Sequence, residues 1–213
     1  EILLPGRKLL LESHKNGKNP EKSNSKRKTP YTLVAAEYGE AIVPLYSSRA
    51  NDFAEELILP ELFPDIVKMK REILHGSSRF DFFIERNYEK VLLEVKACTL
   101  IEEEVAMFPD APSLRAQRHI KELSTLHGTT GAVLFTIMNP AAKIFVPNFH
   151  TDPDFAITCL KIKGSVRFKA ASLKVNHRGE IQLFDSQIPI DLEPAKLAQE
   201  NRGLYCIILR VKE

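Results

Sequence analysis

The alternation of apolar and polar positions changes character near residue 49. Before that point the apolar runs are short. Residues 1–12 (EILLPGRKLLLE) predict two strand-like runs interrupted at Pro5-Gly6, and residues 30–46 predict a hairpin turning near Gly39-Glu40. Residues 13–28 between them are rich in Lys and Asn, lack apolar periodicity and predict an exposed loop. These strands suit part of a small β-barrel or sheet, but they are too few to close a barrel alone.

From residue 49 onward the runs lengthen. Asn51 is placed to cap a helix over 52–60, with Phe53, Leu57 and Ile58 on one face. Strands are predicted at 66–74, 78–86 and 90–98, with Gly76 and Asn87 marking the turns. Pro109–Pro112 lead into a helix over 113–127, where Leu114, Ile120, Leu123 and Leu126 are apolar among basic residues. Residues 131–138 (GAVLFTIM) are apolar throughout, as a strand buried on both faces requires. Asp152 or Asp154 opens a helix to about 163, and strands follow at 165–175 and 180–184. Pro189 and Pro194 punctuate a linker before a last strand at 203–211. The order of helix, three strands, helix and strand predicts an α/β chain built on an α+β mixed sheet.

Overall charge says little, because 30 Lys/Arg against 28 Asp/Glu leave a net of +2. Its distribution says more. Residues 1–30 carry eight Lys/Arg against three Glu, a balance of +5, so the rest of the chain sums to −3. A basic arm on a slightly acidic body suits phosphate contact, although charge alone does not separate such an arm from a solvated loop. The three cysteines, Cys98, Cys159 and Cys206, are odd in number and far apart. That spacing argues against a disulfide framework or structural zinc site and favours a reducing cytoplasm. No apolar run approaches the ~20 residues of a membrane span, and no signal-peptide pattern is present. The chain opens without a Met and closes on a charged strand, which predicts a fragment of a longer protein.

The chemistry concentrates on strand 90–98. Side-chain alternation puts Leu92, Glu94, Lys96 and Cys98 on one face and Val91, Leu93, Val95 and Ala97 on the other. Both faces are largely apolar, so the strand should be central, where Glu94 and Lys96 need compensation for burial. Asp81 lies on the neighbouring hairpin strand among Phe80, Phe82 and Phe83, close to opposite Glu94. Two carboxylates converging there would suit Mg²⁺ or Mn²⁺, with Lys96 orienting a water or offsetting charge on a phosphodiester. A solvated ion pair is the competing reading of Glu94-Val95-Lys96. Arg115 and His119, spaced i,i+4 at a helix start, and Arg118 beside them suit either a phosphate or a solvated basic face. Glu55, Glu56 and Glu72 are accessory carboxylates that read equally as surface charges, and Glu102-Glu103-Glu104 reads as a solvated loop. Pro109-Asp110 follows the Glu-x-Lys triplet and reads as a turn before a helix.

Several segments in fixed order resemble one family. Ser78-Arg79-Phe80-Asp81-Phe82, Glu94-Val95-Lys96, Phe108-Pro109-Asp110-Ala111-Pro112, Arg118-His119 and Thr151-Asp152-Pro153 are similar to those of sugar fermentation stimulation protein A, over residues 5–190. Arg27-Lys28-Thr29-Pro30-Tyr31-Thr32 resembles a segment of that family's barrel. The resemblance implies a partial OB-like β-barrel over 1–48, a restriction-endonuclease-like PD-(D/E)xK core over 49–190 with Asp81, Glu94 and Lys96 at its nuclease-like positions, and a DNA-binding role linked to sugar metabolism. Residues 191–213 would then be a linker and the first strand of a further domain, since Gly203–Leu209 resembles the opening of a GIY-YIG-like unit. The family's opening barrel strands are missing, and Arg115-Ala116-Gln117-Arg118-His119 stands where the family has a Gly-containing step.

Three functions follow as expectations. The first is a metal-dependent DNA phosphodiesterase. The second is a non-catalytic DNA-binding regulator using Lys26, Arg27 and Lys28 for phosphate and Tyr31 or Tyr46 for base stacking. The third is a partner-binding module on the same scaffold. DNA is the expected partner and no membrane is. Exposed edge strands are compatible with a homodimer.

Overall fold

The computed structural model describes residues 3, 5–13, 29–39, 41–176 and 178–200. Strands β1 (Leu9–Ser13), β2 (Tyr31–Tyr38) and β3 (Ala41–Pro44) form an open antiparallel sheet in the order β1-β2-β3, not a closed barrel. The β2–β3 turn falls at Gly39, whose φ of +61° is a left-handed conformation that glycine adopts without a Cβ penalty. Of the two runs expected over 1–12, the second is a strand; among the described residues before it, Leu3 and residues 5–8 lie outside strands.

A six-stranded mixed sheet follows, ordered β12-β11-β9-β6-β5-β4. β4 (Ile66–His75), β5 (Ser78–Arg86) and β6 (Lys90–Cys98) are an antiparallel meander joined by tight turns. β9 (Thr130–Ile137) lies parallel to β6 on one side and to β11 (Val166–Val175) on the other, and β12 (Ile181–Asp185) closes the edge antiparallel to β11. β6 and β9 are central, which explains their nearly continuous apolar sequence.

Two cores flank this sheet. One face buries Leu92, Val133, Phe135 and Ala170 against α3 (Leu114–Leu123) and α4 (Pro153–Ile162), through Ala116, Ile120, Leu123, Phe155 and Cys159. The other buries Val91, Leu93, Val95, Leu134 and Leu173 against the helical segment 50–62 and Val43 of β3. A second small sheet, in the order β10-β8-β7 from Ile144–Pro147, Val105–Phe108 and Leu100–Glu102, covers the α3 side. There Phe145 stacks on Phe135 with centroids 3.8 Å apart.

Several elements depart from the expected pattern. Helix 50–62 begins with α1 (Ala50–Phe53), passes through a π-helical turn (Ala54–Ile58) and ends with α2 (Leu59–Leu62). Asn51 therefore lies inside the helix and is not its cap, because a 3₁₀ turn over Ser47–Arg49 already leads the chain into it. α3 stops at Leu123 rather than 127, where Ser124 and Thr125 hydroxyls donate back to the Lys121 and Glu122 carbonyls. Leu114 is 82% exposed and takes no part in the apolar stripe, which Ala116, Ile120 and Leu123 carry. The acidic segment is a hairpin joining β7 to β8, with Glu103 and Glu104 both at positive φ. Around the expected linker, Ile190 bridges Phe145 and Ala195–Glu200 form α5. The strand at 203–211, with its GIY-YIG-like resemblance, and the loop of residues 14–28 lie outside the described residues.

Local chemistry accounts for the rest. Ser113 caps α3 by accepting the Ala116 amide, and Asp152 caps α4 by accepting the Phe155 amide, with Pro153 in the first turn. Asp152 also accepts Gln117 Nε2 at 2.9 Å and the Ser113 amide at 2.8 Å, tying the two helix starts together.

At the opposite end of the sheet Glu89 joins three strands. It accepts both terminal nitrogens of Arg167 on β11, Arg86 on β5 and the Thr130 hydroxyl on β9. These contacts, led by the Arg167 hydrogen bonds and opposed by partial burial, hold its carboxyl down at about 2. Its contribution to stability is present above the ordinary carboxyl value near 4.5 and is lost as pH falls toward 2. Arg167→Leu should therefore move the acid-unfolding midpoint, followed by circular dichroism, to higher pH. Gly131 makes a second prediction. A Cβ there would lie 2.5 Å from the Leu123 carbonyl oxygen at the end of α3. Gly131→Ala should cost about 1–3 kcal/mol, read as a lower urea midpoint at unchanged m-value.

Candidate functional site

The α3 side of β6 carries the polar cluster. Glu94 is 3% exposed, and Lys96 beside it keeps 14% of its side chain accessible. Lys96 Nζ lies 2.5 Å from Glu94 Oε1, and His119 Nδ1 lies 2.6 Å from the same oxygen. The other oxygen, Oε2, is buried with no hydrogen-bond partner. Burial opposes ionisation of Glu94, but the His119 hydrogen bond and the Lys96 charge outweigh it and lower its pKa. His119, at 1% exposure, is held by the apolar stripe of α3 and by the Phe80 ring, whose centroid is 5.4 Å away.

Asp81 reaches this cluster because β5 is irregular there. The β5–β6 ladder runs from Glu85↔Lys90 to Phe82↔Leu93 and stops one residue short of Asp81. Phe82 packs on the α1 side while Phe80 packs on the α3 side, so the two-residue alternation breaks at Asp81. On β4, Glu72 at the same level has a φ of +57° and falls between the pairs Arg71↔Phe82 and Ile73↔Phe80. Freed from the ladder, Asp81 Oδ2 accepts the Val95 amide at 2.7 Å and Oδ1 accepts Asn51 Nδ2 at 2.7 Å. Burial and the Glu94 charge raise its pKa; the Val95 and Asn51 hydrogen bonds and Lys96 pull the other way.

The structure thus brings Asp81, Glu94 and Lys96 together and adds Asn51 and His119. His119 does not share a phosphate-facing surface with Arg115: it turns inward to Glu94, while Arg115 is exposed. Burial in the Ala116–Ile120–Leu123 stripe is the sequence signal for that role. Asn51 offered no such signal, since it matches a helix cap equally well. Arg118 is exposed, 3.9 Å from Glu122. Glu56 is exposed, Glu55 pairs with Arg71, and Glu72 faces Arg79 at 3.6 Å, so none of these three is bonded to the Asp81–Glu94 cluster. Tyr31 is 47% exposed, and Tyr46 donates its hydroxyl to Glu12. Lys26, Arg27 and Lys28 lie outside the described residues.

The donor set suits a hard divalent cation. Glu94 Oε2 is an orphaned buried oxygen, and each Asp81 oxygen accepts one hydrogen bond, leaving lone-pair capacity. Among the described residues no group of three or more His, Cys, Asp and Glu is set to hold a metal. Two carboxylates would leave the remaining positions to water or phosphate, the habit of Mg²⁺.

Fold and comparisons now converge on a class: a mixed α+β chain with a restriction-endonuclease-like core preceded by an open β-sheet. The family model described as "Sugar fermentation stimulation protein RE domain" matches residues 48–179. The chain belongs to the sugar fermentation stimulation protein (SfsA) family. It is 34% identical to the homolog of Methanothermobacter thermautotrophicus over 73% of this chain and 64% of that one. It is 36% identical to the Carboxydothermus hydrogenoformans homolog over 90% of this chain and 82% of that one. Among solved structures it is similar to Pyrococcus furiosus SfsA in complex with Ca²⁺, at 30% identity and a TM-score of 0.74, covering 89% of this chain and 80% of that one. No helix among the described residues is long and apolar enough to cross a membrane.

Because the folded chain holds the Asp81 proton more tightly than the unfolded chain does, its ionised form costs stability as pH rises through the folded pKa. Asp81→Asn should therefore stabilise the metal-free protein at neutral pH by about 1 kcal/mol, with Asn51 turning its amide to pair with it. Urea unfolding in the presence of a chelator measures this; a destabilised variant would contradict the assigned charge balance.

Proposed function

We propose that the chain is a DNA-binding protein with a divalent-metal site at Asp81 and Glu94, acting as a Mg²⁺- or Mn²⁺-dependent phosphodiesterase. The observation that carries this reading is half-buried Asp81 paired with buried Glu94 beside Lys96, with Glu94 Oε2 lacking any hydrogen-bond partner. The Ca²⁺ complex of the Pyrococcus relative supports a divalent ion in this family.

A bound Mg²⁺ or Mn²⁺ would supply Lewis-acid stabilisation and a more acidic water. The side chains do the positioning. Asn51 and the Val95 amide fix Asp81, and His119 fixes Glu94 Oε1 so that Oε2 faces away from it. Lys96, partly accessible, is placed to neutralise a phosphate oxygen and to orient the attacking water. Exposed Arg115 and Arg118 on α3 would contact flanking phosphates, together with Lys26, Arg27 and Lys28 of the basic arm and Tyr31 on the open sheet. In this reading residues 1–48 serve as the OB-like arm and 49–190 as the PD-(D/E)xK core of a cytoplasmic protein.

One observation favours a second reading, a non-catalytic DNA-binding regulator of sugar-metabolism genes. Glu94 Oε1 is already engaged by both Lys96 and His119, so chemistry requires Lys96 to exchange its carboxylate for substrate.

Calorimetric titration with Ca²⁺, Mg²⁺ and Mn²⁺, followed by incubation with supercoiled plasmid, separates the two. The phosphodiesterase reading expects Asp81→Ala and Glu94→Ala to lose metal binding. It expects Lys96→Ala to keep binding and to lose cleavage by about 10²-fold or more. Salt-dependent DNA binding without strand scission under any metal would establish the regulator reading instead. Absence of both metal and DNA binding would overturn both.

A further inference from the structure

Beyond the Asp81–Glu94 cluster, β6 runs into a separate cavity. Its volume is about 540 Å³, within the range of small-ligand pockets, and Tyr38, Leu45, Thr99, Ile101, Asp110 and Asn139 are among its lining residues. It lies at the carboxyl ends of the parallel strands β6 and β9, where sheets of this kind receive ligands, and the open sheet β1-β2-β3 supplies its other wall. Thr99 is three residues past Lys96, about 10 Å along an extended strand. None of Asp81, Glu94 and Lys96 lines it.

Asn139 marks it as a built site. The residue is 1% exposed, and its Oδ1 accepts the Ala141 amide at 3.0 Å. A backbone N–H can be met only by oxygen, so the amide orientation is determined and Nδ2 is the end left over. Among the described residues Nδ2 donates no hydrogen bond, although it belongs to a buried side chain on the cavity wall. The exposed carboxylate of Asp110 lines the same space and, among the described residues, accepts no hydrogen bond. Tyr38, Leu45 and Ile101 stand around this donor and this acceptor, and the Arg7 guanidinium lies over the Tyr38 ring at 4.7 Å.

We propose that this cavity is a nucleobase pocket with a preference for guanine. A carboxylate takes two parallel N–H donors, and the ring N–H beside the exocyclic amine of guanine presents such a pair. The adjoining carbonyl of the same base edge meets a donor such as Asn139 Nδ2. Tyr38 and the aliphatic walls cover the ring faces, the mode by which unstacked bases are held. The pocket would seat a base next to the phosphodiester at Lys96, and in that respect it rests on the nucleic-acid reading above.

Free nucleosides test the pocket without metal, phosphate or cleavage. Titration of the chelator-treated chain with guanosine, inosine, adenosine, cytidine and thymidine, followed by NMR shift perturbation, should show saturable guanosine binding. Inosine, lacking the exocyclic amine, should bind about tenfold more weakly. Asp110→Asn, on an exposed residue, should weaken guanosine about tenfold and abolish its advantage over inosine. Asn139→Asp keeps the acceptor for Ala141 and should abolish binding by setting a carboxylate against the base carbonyl. Both variants should retain the wild-type response to Ca²⁺. No nucleoside binding at millimolar concentration, or wild-type affinity in Asp110→Asn, overturns the proposal. If oligonucleotides bind while nucleosides do not, the pocket falls and the nucleic-acid reading stands. If guanosine binds while no oligonucleotide does, the pocket stands and that reading falls.

Discussion

Burying a carboxylate in the middle of a sheet is the constraint around which this molecule is organised. Glu94 sits on a central strand with apolar neighbours on both faces, where an uncompensated charge would be prohibitive. The chain answers with a lysine two residues along the same strand and a histidine from the overlying helix, both on one oxygen. That solution leaves the second oxygen bare, with a half-buried carboxylate, Asp81, within electrostatic reach. Such a pair adds nothing to stability by itself, and the cation and anionic ligand of the proposed function would offset its charge.

The surrounding fold serves this placement. The apolar stripe of α3 sets the depth of His119, and Asp152 locks the starts of α3 and α4 together so that the stripe cannot slide. At the far end of the sheet, Glu89 joins β5, β9 and β11 with its two arginines. The polar work is therefore divided: one end of the sheet is closed by fully satisfied ion pairs, and the middle retains an unsatisfied one.

Much of this was legible in the amino-acid order. The alternation in 90–98 placed Glu94 and Lys96 on one face correctly, and the unbroken apolar run at 131–138 marked β9 as the doubly buried strand beside it. What was not legible depends on breaks in periodicity. The face reversal between Phe80 and Phe82 is a backbone irregularity, and period-two reasoning assumes there is none. β7, β8 and β10 are three or four residues long, too short for a pattern to accumulate. His119 looked basic and surface-directed because the helix around it is basic; only its phase relative to Ala116, Ile120 and Leu123 shows that it points inward. Asn51 shows the same limit from the other side, since a helix cap and a side chain that holds Asp81 use the same residue type.

The π-helical turn at Ala54–Ile58 has a consequence for how the site can vary. Such a turn holds one residue more than the regular helix would, so the two halves of segment 50–62 are out of phase by roughly a quarter of a revolution. That offset lets Ile58 and Leu59 seat in the core downstream while Asn51 reaches Asp81 upstream. A single-residue deletion anywhere in 54–58 would restore a uniform helix and keep the core contacts on one side of the deletion only. The surplus residue thus behaves as a phase adjuster, coupling the length of this helix to the orientation of the Asn51 amide in its first turn.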